Sequence, residues 1–481
     1  MSFLEFMILL LTTVGIIGLL LPFQHYRNFY KGVVSLSILF LILHPLQDGL
    51  RWQMGLAYLV LVVVNGEMIR RLINKSSHPP KSKLIRIGLS TLGMLFLVLS
   101  LVIGHVVFPA FAMPSPTGPF GIGARDVFFK DEARPEIYTA DPHDKRELVA
   151  TIWYPIDKEH SYQVEKYPTE FGQVVKSLMG IPTLIFSHLT LIDTHTIRNA
   201  EISNQYPEYP ILFFSHADKA TRFQNLAQIE QLVSHGYVVV GMNHTYNAGL
   251  SRLEHGKEVP ATVGLSFTDH AANAELVEVR ARDIQFVLDE LERLKEEKPA
   301  FFGKLNVAQV GVFGHSLGGS TAVKLLSIDE RFKAGVNLDG AILKDTVLTP
   351  IDRPYLSILR EGFFSYVPTE AELESMEASL EDFQEMYRLI EDNFRTVHGN
   401  LTQDGYDLSL KGAGHYSFTD GAFISPLLFG SGLDPHQAHQ ITSDYTLAFF
   451  NKYIKGEPAS LLESQASTYN EVIMKKSNPS Q

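Results

Sequence analysis

The chain has 481 residues, 45% hydrophobic and 20% charged, with a formal net charge of −12 and no cysteine. The missing thiol excludes disulfides, thiolate metal sites and a cysteine nucleophile. Nine of the 41 Lys/Arg but only three of the 53 Asp/Glu fall in residues 1–113, so the rest carries about −18 and offers no basic footprint to nucleic acid.

Four apolar runs, residues 6–23, 32–46, 52–66 and 87–111, fill most of the first 113 positions. A membrane core of roughly 30 Å needs about 20 apolar residues as helix. The first and fourth runs approach or exceed that. The two middle runs reach only about 22 Å; they span with help from flanking residues such as Tyr30 and Met68, or form a shallow hairpin. Residues 1–113 are thus expected to be an all-helical transmembrane bundle of about four helices. If all four runs cross, Arg27, Lys31, Arg70, Arg71, Lys75, Lys81, Lys83 and Arg86 share one side and only Arg51 lies on the other. The basic side should be cytoplasmic, placing the N-terminus and everything after Pro114 outside. The first run lacks the basic n-region and cleavage site of a signal peptide. The fourth closes with Ala110-Phe111-Ala112, which resembles a processing site whose cleavage would release the rest.

A Pro/Gly-rich linker, residues 114–123, leads into a different pattern over 124–456. Short β-branched and aromatic runs at 148–154, 211–214, 237–242, 307–313, 334–338, 355–359 and 406–410 alternate with amphipathic stretches at 222–234, 274–294, 317–327 and 437–453. Such alternation implies an α/β fold, a mainly parallel sheet with helices on both faces. Two insertions interrupt it, residues 180–208 and a Glu-rich helical segment at 365–400; insertions of that size form a lid above the sheet or a solvated surface helix. The polar tail, 457–481, is expected to fray.

Gly314-His315-Ser316-Leu317-Gly318 is a GxSxG pentapeptide, a modest signal alone. Its setting strengthens it: an apolar strand leads in and a helix with small residues leads out, as at a nucleophile elbow. The helix N-terminus and the Leu317 N–H would face a developing oxyanion. A serine hydroxyl needs a base, and on this fold the order is Ser, acid, His. Of the downstream histidines, His398, His415, His436 and His439, only His415 lies in a glycine-rich loop directly after an apolar strand. Asp339 and Glu361 both end strands and could orient it; spacing alone does not separate them. A second oxyanion donor should come from the loop after residues 211–214, through the backbone N–H of Ala217 or Asp218, with His216 shaping that loop. No metal-ligand or nucleotide motif is visible, so no cofactor is expected.

These residues resemble the plasma-type platelet-activating factor acetylhydrolases and their bacterial lipase-like relatives, within the α/β-hydrolase superfamily. The likeness covers about residues 118–455. It is carried by Gly118-Pro-Phe-Gly-Ile-Gly123, Val149-Ala-Thr-Ile-Trp-Tyr-Pro155, Phe214-Ser-His216 and Ser234-His-Gly-Tyr-Val-Val-Val240, and most specifically by Gly314 to Gly319 with Arg331-Phe-Lys-Ala-Gly-Val-Asn-Leu-Asp339. The resemblance implies Asp339 as triad acid, His415 as base, and short or oxidised acyl chains on phospholipid-like esters, without calcium. Ala217-Asp218-Lys219 departs from the family's glycine after Ser-His, and the N-terminal bundle is no part of the secreted enzymes. The expectation is a membrane-anchored serine carboxylic ester hydrolase outside the cytoplasm, with a lipid or small ester as substrate, membrane lipids as partners, and no metal. Two other readings stand beside it: an acyltransferase on the same triad, and a non-catalytic membrane protein on a hydrolase fold. The intact Ser/Asp/His set argues against the second.

Overall fold

The computed structural model describes residues 2–21, 26–74, 83–109, 111–158, 163–347, 350–463 and 468–477. The chain divides into two compact units. One is Met1–Ala112 with Ile185–Ile192 and Phe423–Leu428; the other is the remainder.

The first unit holds four long helices: α1 (Phe3–Leu20), α2 (Arg27–Gln47), α3 (Gly55–Asn74) and α4 (Lys83–Val102). Polar flanks extend the two short apolar runs into helices of 21 and 20 residues. Arg27 and Lys31 join the start of α2, and Glu67, Arg70 and Arg71 the end of α3. By length and composition α1, α2 and Leu84–Val107 could each cross a membrane. The three charges at its end set α3 apart. Ile8, Ile16, Tyr30, Val34, Leu61, Val64 and Met68 form the core, whereas Leu10, Ile17, Leu36, Leu39, Val63, Leu95 and Val98 are exposed. Arg51, between α2 and α3, is buried rather than solvated. It pairs with Glu5 at 2.5 Å and donates to the carbonyls of Gly104 and Phe108, so burial leaves the charge compensated. Lys75, Lys81 and Ala110 lie outside the described residues.

The second unit is built on ten strands of one sheet: β1 (Gly121–Pro135), β2 (Lys145–Ile156), β3 (Thr196–Arg198), β4 (Tyr209–Ser215), β5 (Val238–Asn243), β8 (Leu305–His315), β9 (Phe332–Leu338), β10 (Tyr355–Arg360), β11 (Gly405–Leu410) and β12 (Val472–Ser477), while β6 (Leu250–Arg252) and β7 (Glu258–Pro260) pair separately. The order is β12-β11-β10-β9-β8-β4-β5-β2-β1-β3. From β5 through β11 every neighbour is parallel; β2 joins β5, and β12 joins β11, antiparallel. Every residue of β4 and β5 is buried, so both faces are covered, as parallel strands require. Helix Leu226–Ser234 packs with Pro435–Phe450, and His270–Glu297 with Leu317–Ile328.

Two expectations are corrected. The linker gives way to β1 at Gly121, and the tail is not simply frayed, because Val472–Ser477 closes the sheet edge beside β11. The 365–400 insertion is two capped helices, Glu370–Ser375 and Leu380–Gly399.

Candidate active site

β8 ends in Gly314 and His315, and helix Leu317–Ile328 starts directly after Ser316. That abrupt reversal holds Ser316 at φ 56°, ψ −121°, a conformation that costs a non-glycine residue about 1–3 kcal/mol. Glycines make the close approach possible. A Cβ on Gly318 would collide with the Ser215 carbonyl oxygen, and one on Gly319 with the Asn337 side chain. The Ser316 N–H donates to Leu338 O at 2.9 Å, tying the turn to the end of β9. Ser316 thus sits half-buried at the C-terminal ends of the parallel strands, the end at which open α/β sheets bind ligands.

Asp339 follows β9 directly and is also at positive φ, 48°. Its Oδ2 lies 2.6 Å from His415 Nδ1, and its Oδ1 accepts the Arg360 N–H at 2.8 Å. The carboxylate is fully buried, while the His415 side chain is 34% exposed. Burial pushes the Asp339 carboxyl up, but the His415 hydrogen bond and the Arg360 charge outweigh it and hold the group below the usual aspartate range. It is therefore an ionised acceptor. The other candidate acid, Glu361, is exposed, with its N–H donating to Leu410 O. Geometry brings Asp339 to the imidazole and turns Glu361 to solvent. His398 faces Asp407 at 3.1 Å, and His436 and His439 lie on helix Pro435–Phe450. Among the described residues no hydrogen bond joins Ser316 Oγ to His415, a gap that resting sites often close only with substrate bound.

Behind the serine runs a strut. The Ala217 N–H donates to Gln224 Oε1 at 2.8 Å, Gln224 Nε2 donates to His315 Nδ1 at 3.0 Å, and His315 Nε2 donates to His415 O at 2.8 Å. Burial pushes the His315 imidazole down to about 3, so it is neutral, as one donor and one acceptor nitrogen require. The strut corrects one expectation. The Ala217 N–H is aimed at Gln224, which leaves the amides of Asp218 and Leu317 without an acceptor among the described residues. His216 is buried and shapes the loop as expected: its Nδ1 donates to Ala217 O, and its Nε2 accepts the His244 N–H. Gln224, His315 and Arg360 escape sequence reasoning. Arg360 carries the one usable signal, a strand-end position like that of the two candidate acids.

A second Ser/His/Asp set lies in the same unit. Ser215 Oγ stands 3.0 Å from His244 Nε2, and His244 Nδ1 stands 3.0 Å from Asp283 Oδ2. All three are fully buried.

Residues 105–460 match the family model of platelet-activating factor acetylhydrolase, isoform II. A probable 1-alkyl-2-acetylglycerophosphocholine esterase of Arthroderma benhamiae is 24% identical over 51% of this chain and 65% of its own length. The platelet-activating factor acetylhydrolase of Canis lupus familiaris is 24% identical over 71% of this chain and 77% of its own. That of Gallus gallus is 22% identical over 72% and 84%. Among solved structures, a ferulic acid esterase from Streptomyces cinnamoneus shares the fold, with a TM-score of 0.58 at 24% identity, over 76% of this chain and 98% of that one. The elbow, the ten-stranded sheet and the extent of the family match agree: the chain belongs to the platelet-activating factor acetylhydrolase, isoform II, family, and with it to the carboxylic ester hydrolases.

Proposed function

We propose that this protein is a membrane-anchored serine esterase that cleaves short acyl groups from phospholipid-like esters by an acyl-enzyme mechanism. The observation that carries the reading is the buried Asp339 carboxylate, 2.6 Å from His415 Nδ1, on the strand next to the strained Ser316 turn. The Asp339 contact fixes the Nδ1–H tautomer, so Nε2 is free to act as base. Ser316 Oγ attacks the acyl carbon as its proton passes to His415 Nε2. The Leu317 and Asp218 N–H groups take the oxyanion. The alcohol leaves with the proton from His415, and water, deprotonated by the same nitrogen, releases the acid. The phospholipid-like alcohol follows from the names of the relatives. Anchoring rests on three helices of spanning length with apolar side chains turned outward, which lipid solvates and water does not. If all four long helices cross, the basic bias of their loops supports a catalytic unit outside the cytoplasm; with α3 left out of the membrane the same bias no longer does.

A fluorophosphonate probe on membranes, followed by hydrolysis of an acetyl ester, tests the mechanism. Ser316→Ala should abolish labelling and lower kcat on the order of 10⁶-fold, since triad members act as one unit. Turnover near wild type would sink the reading.

A further inference from the structure

Asp339 Oδ2 accepts two donors at once, His415 Nδ1 at 2.6 Å and Arg360 Nη1 at 2.6 Å, and those nitrogens are 3.3 Å apart. The Arg360 N–H holds the other carboxylate oxygen. On its far side the guanidinium donates to the Tyr387 hydroxyl at 3.2 Å and rests 5.2 Å and 5.1 Å over the rings of Phe363 and Tyr366. Tyr366 and Tyr387 belong to the 365–400 insertion, and the Tyr366 hydroxyl donates in turn to Glu372. Burial opposes the Arg360 charge, but Asp339 and Tyr387 outweigh it and keep the guanidinium protonated.

A permanent cation at this distance has two consequences. It divides the Asp339 charge between two partners, and it disfavours a second cation beside it, the His415 imidazolium. The groups around His415 are Asp339, Arg360, His315 and Tyr416. The buried His315 is neutral, and burial pushes the Tyr416 phenol up. Among the described residues, Asp339 and Arg360 therefore bring charge to the imidazole.

We propose that Arg360 is a positioning residue through which the 365–400 insertion sets the working pH of the Ser316–His415–Asp339 site. Anchored on Tyr366 and Tyr387, it locks the Asp339 carboxylate and biases His415 toward the neutral form that can accept a proton. The inference rests on the triad reading above. It adds that the insertion acts on the chemistry through one side chain, beyond any part it plays as a lid.

The test is the pH profile of kcat/KM for p-nitrophenyl acetate, with the full chain in detergent. Wild type is compared with Arg360→Gln, Arg360→Lys, Tyr387→Phe and Asp339→Asn. Arg360→Gln should move the midpoint of the acidic limb up by about one pH unit, the scale of one nearby charge. Arg360→Lys should recover at least half of that shift, and Tyr387→Phe should move the midpoint the same way by less. A loss of rate uniform in pH with an unmoved midpoint overturns the proposal, as does no change at all. If Arg360→Gln does not fold, an unmoved midpoint in Tyr387→Phe overturns it alone. Full activity in Asp339→Asn would instead overturn the triad, a distinguishable failure.

Discussion

Ser215, His244 and Asp283 have the residue types and the hydrogen-bond spacing of a catalytic triad; Ser316, His415 and Asp339 have something less tidy. In the first set every side chain is buried, Arg280 Nη2 also donates to Ser215 Oγ, and Arg146 and Arg134 hold Asp283. Burial pushes the His244 imidazole down to about 3. In the second the serine sits on a strained turn and the histidine is one-third exposed. Among the described residues the Asp218 and Leu317 amides have no acceptor. The first set has spent its hydrogen bonds on its own members and on Arg280, Arg146 and Arg134, whereas Ser316 Oγ and His415 Nε2 are uncommitted among the described residues, as the proposed nucleophile and base require.

Substitution of the two serines breaks the comparison most sharply. Against the loss on the order of 10⁶ expected for Ser316→Ala, Ser215→Ala should change kcat less than about tenfold and lower thermal stability by about 1–3 kcal/mol, the cost of unpairing buried donors. Comparable losses of kcat in both variants, each verified as folded, would erase the distinction.

The acids come next. Asp339→Asn should slow turnover by about 10⁴ by favouring the wrong imidazole tautomer, and the exposed Glu361→Gln should leave it nearly untouched. The reverse ranking in steady-state kinetics would move the acid to Glu361. Asp283→Asn should act on stability instead, costing about 3–5 kcal/mol because Arg146 and Arg134 lose their buried counter-charge. A chemical-denaturation loss below about 1 kcal/mol would show that this set is not framework.

Much of this was legible in the chain, for physical reasons that differ by element. Parallel strands buried on both faces read as near-continuous hydrophobic runs, and β4 and β5 do throughout while β8, β9 and β10 do over their buried parts. β1 was hidden because the charged pairs Arg125-Asp126 and Lys130-Asp131 interrupt its apolar residues and it opens on glycines. β12 was hidden because Lys475 and Lys476 give an edge strand the look of a polar tail. The candidate nucleophile was legible because a GxSxG turn is local. For the candidate acid spacing alone was neutral, because Asp339 and Glu361 both end strands; the family resemblance pointed to Asp339, whose carboxylate lies 2.6 Å from His415 Nδ1. Gln224 and His315 were illegible because their bonds join segments that only the fold brings together; Arg360 offered its strand-end position alone.

A further effect, on stability alone, lies at the far end of the His415 loop, at Asp420, whose carboxylate accepts from the Tyr167 hydroxyl at 3.0 Å and from the Ala227 N–H. Burial raises this carboxyl from 3.8 to about 8, against the pull of those donors. The folded protein therefore keeps a proton here that the unfolded chain releases near pH 4. A group raised on folding contributes stability that is complete below its unfolded value and is lost as pH climbs to its folded value. In the window from about 4 to 8 the unfolded state binds fewer protons, so this site makes stability fall by at most about 1.4 kcal/mol per pH unit. Above about 8 both states are ionised and the slope vanishes. Asp420→Asn removes the titration while keeping a polar side chain, so unfolding curves between pH 5 and 8.5 should show the variant gaining on wild type as pH rises, with little difference beyond. Parallel stability profiles for the two proteins would mean that Asp420 is already ionised in the fold, and that the His415 loop is pinned by a charge rather than by a buried acid.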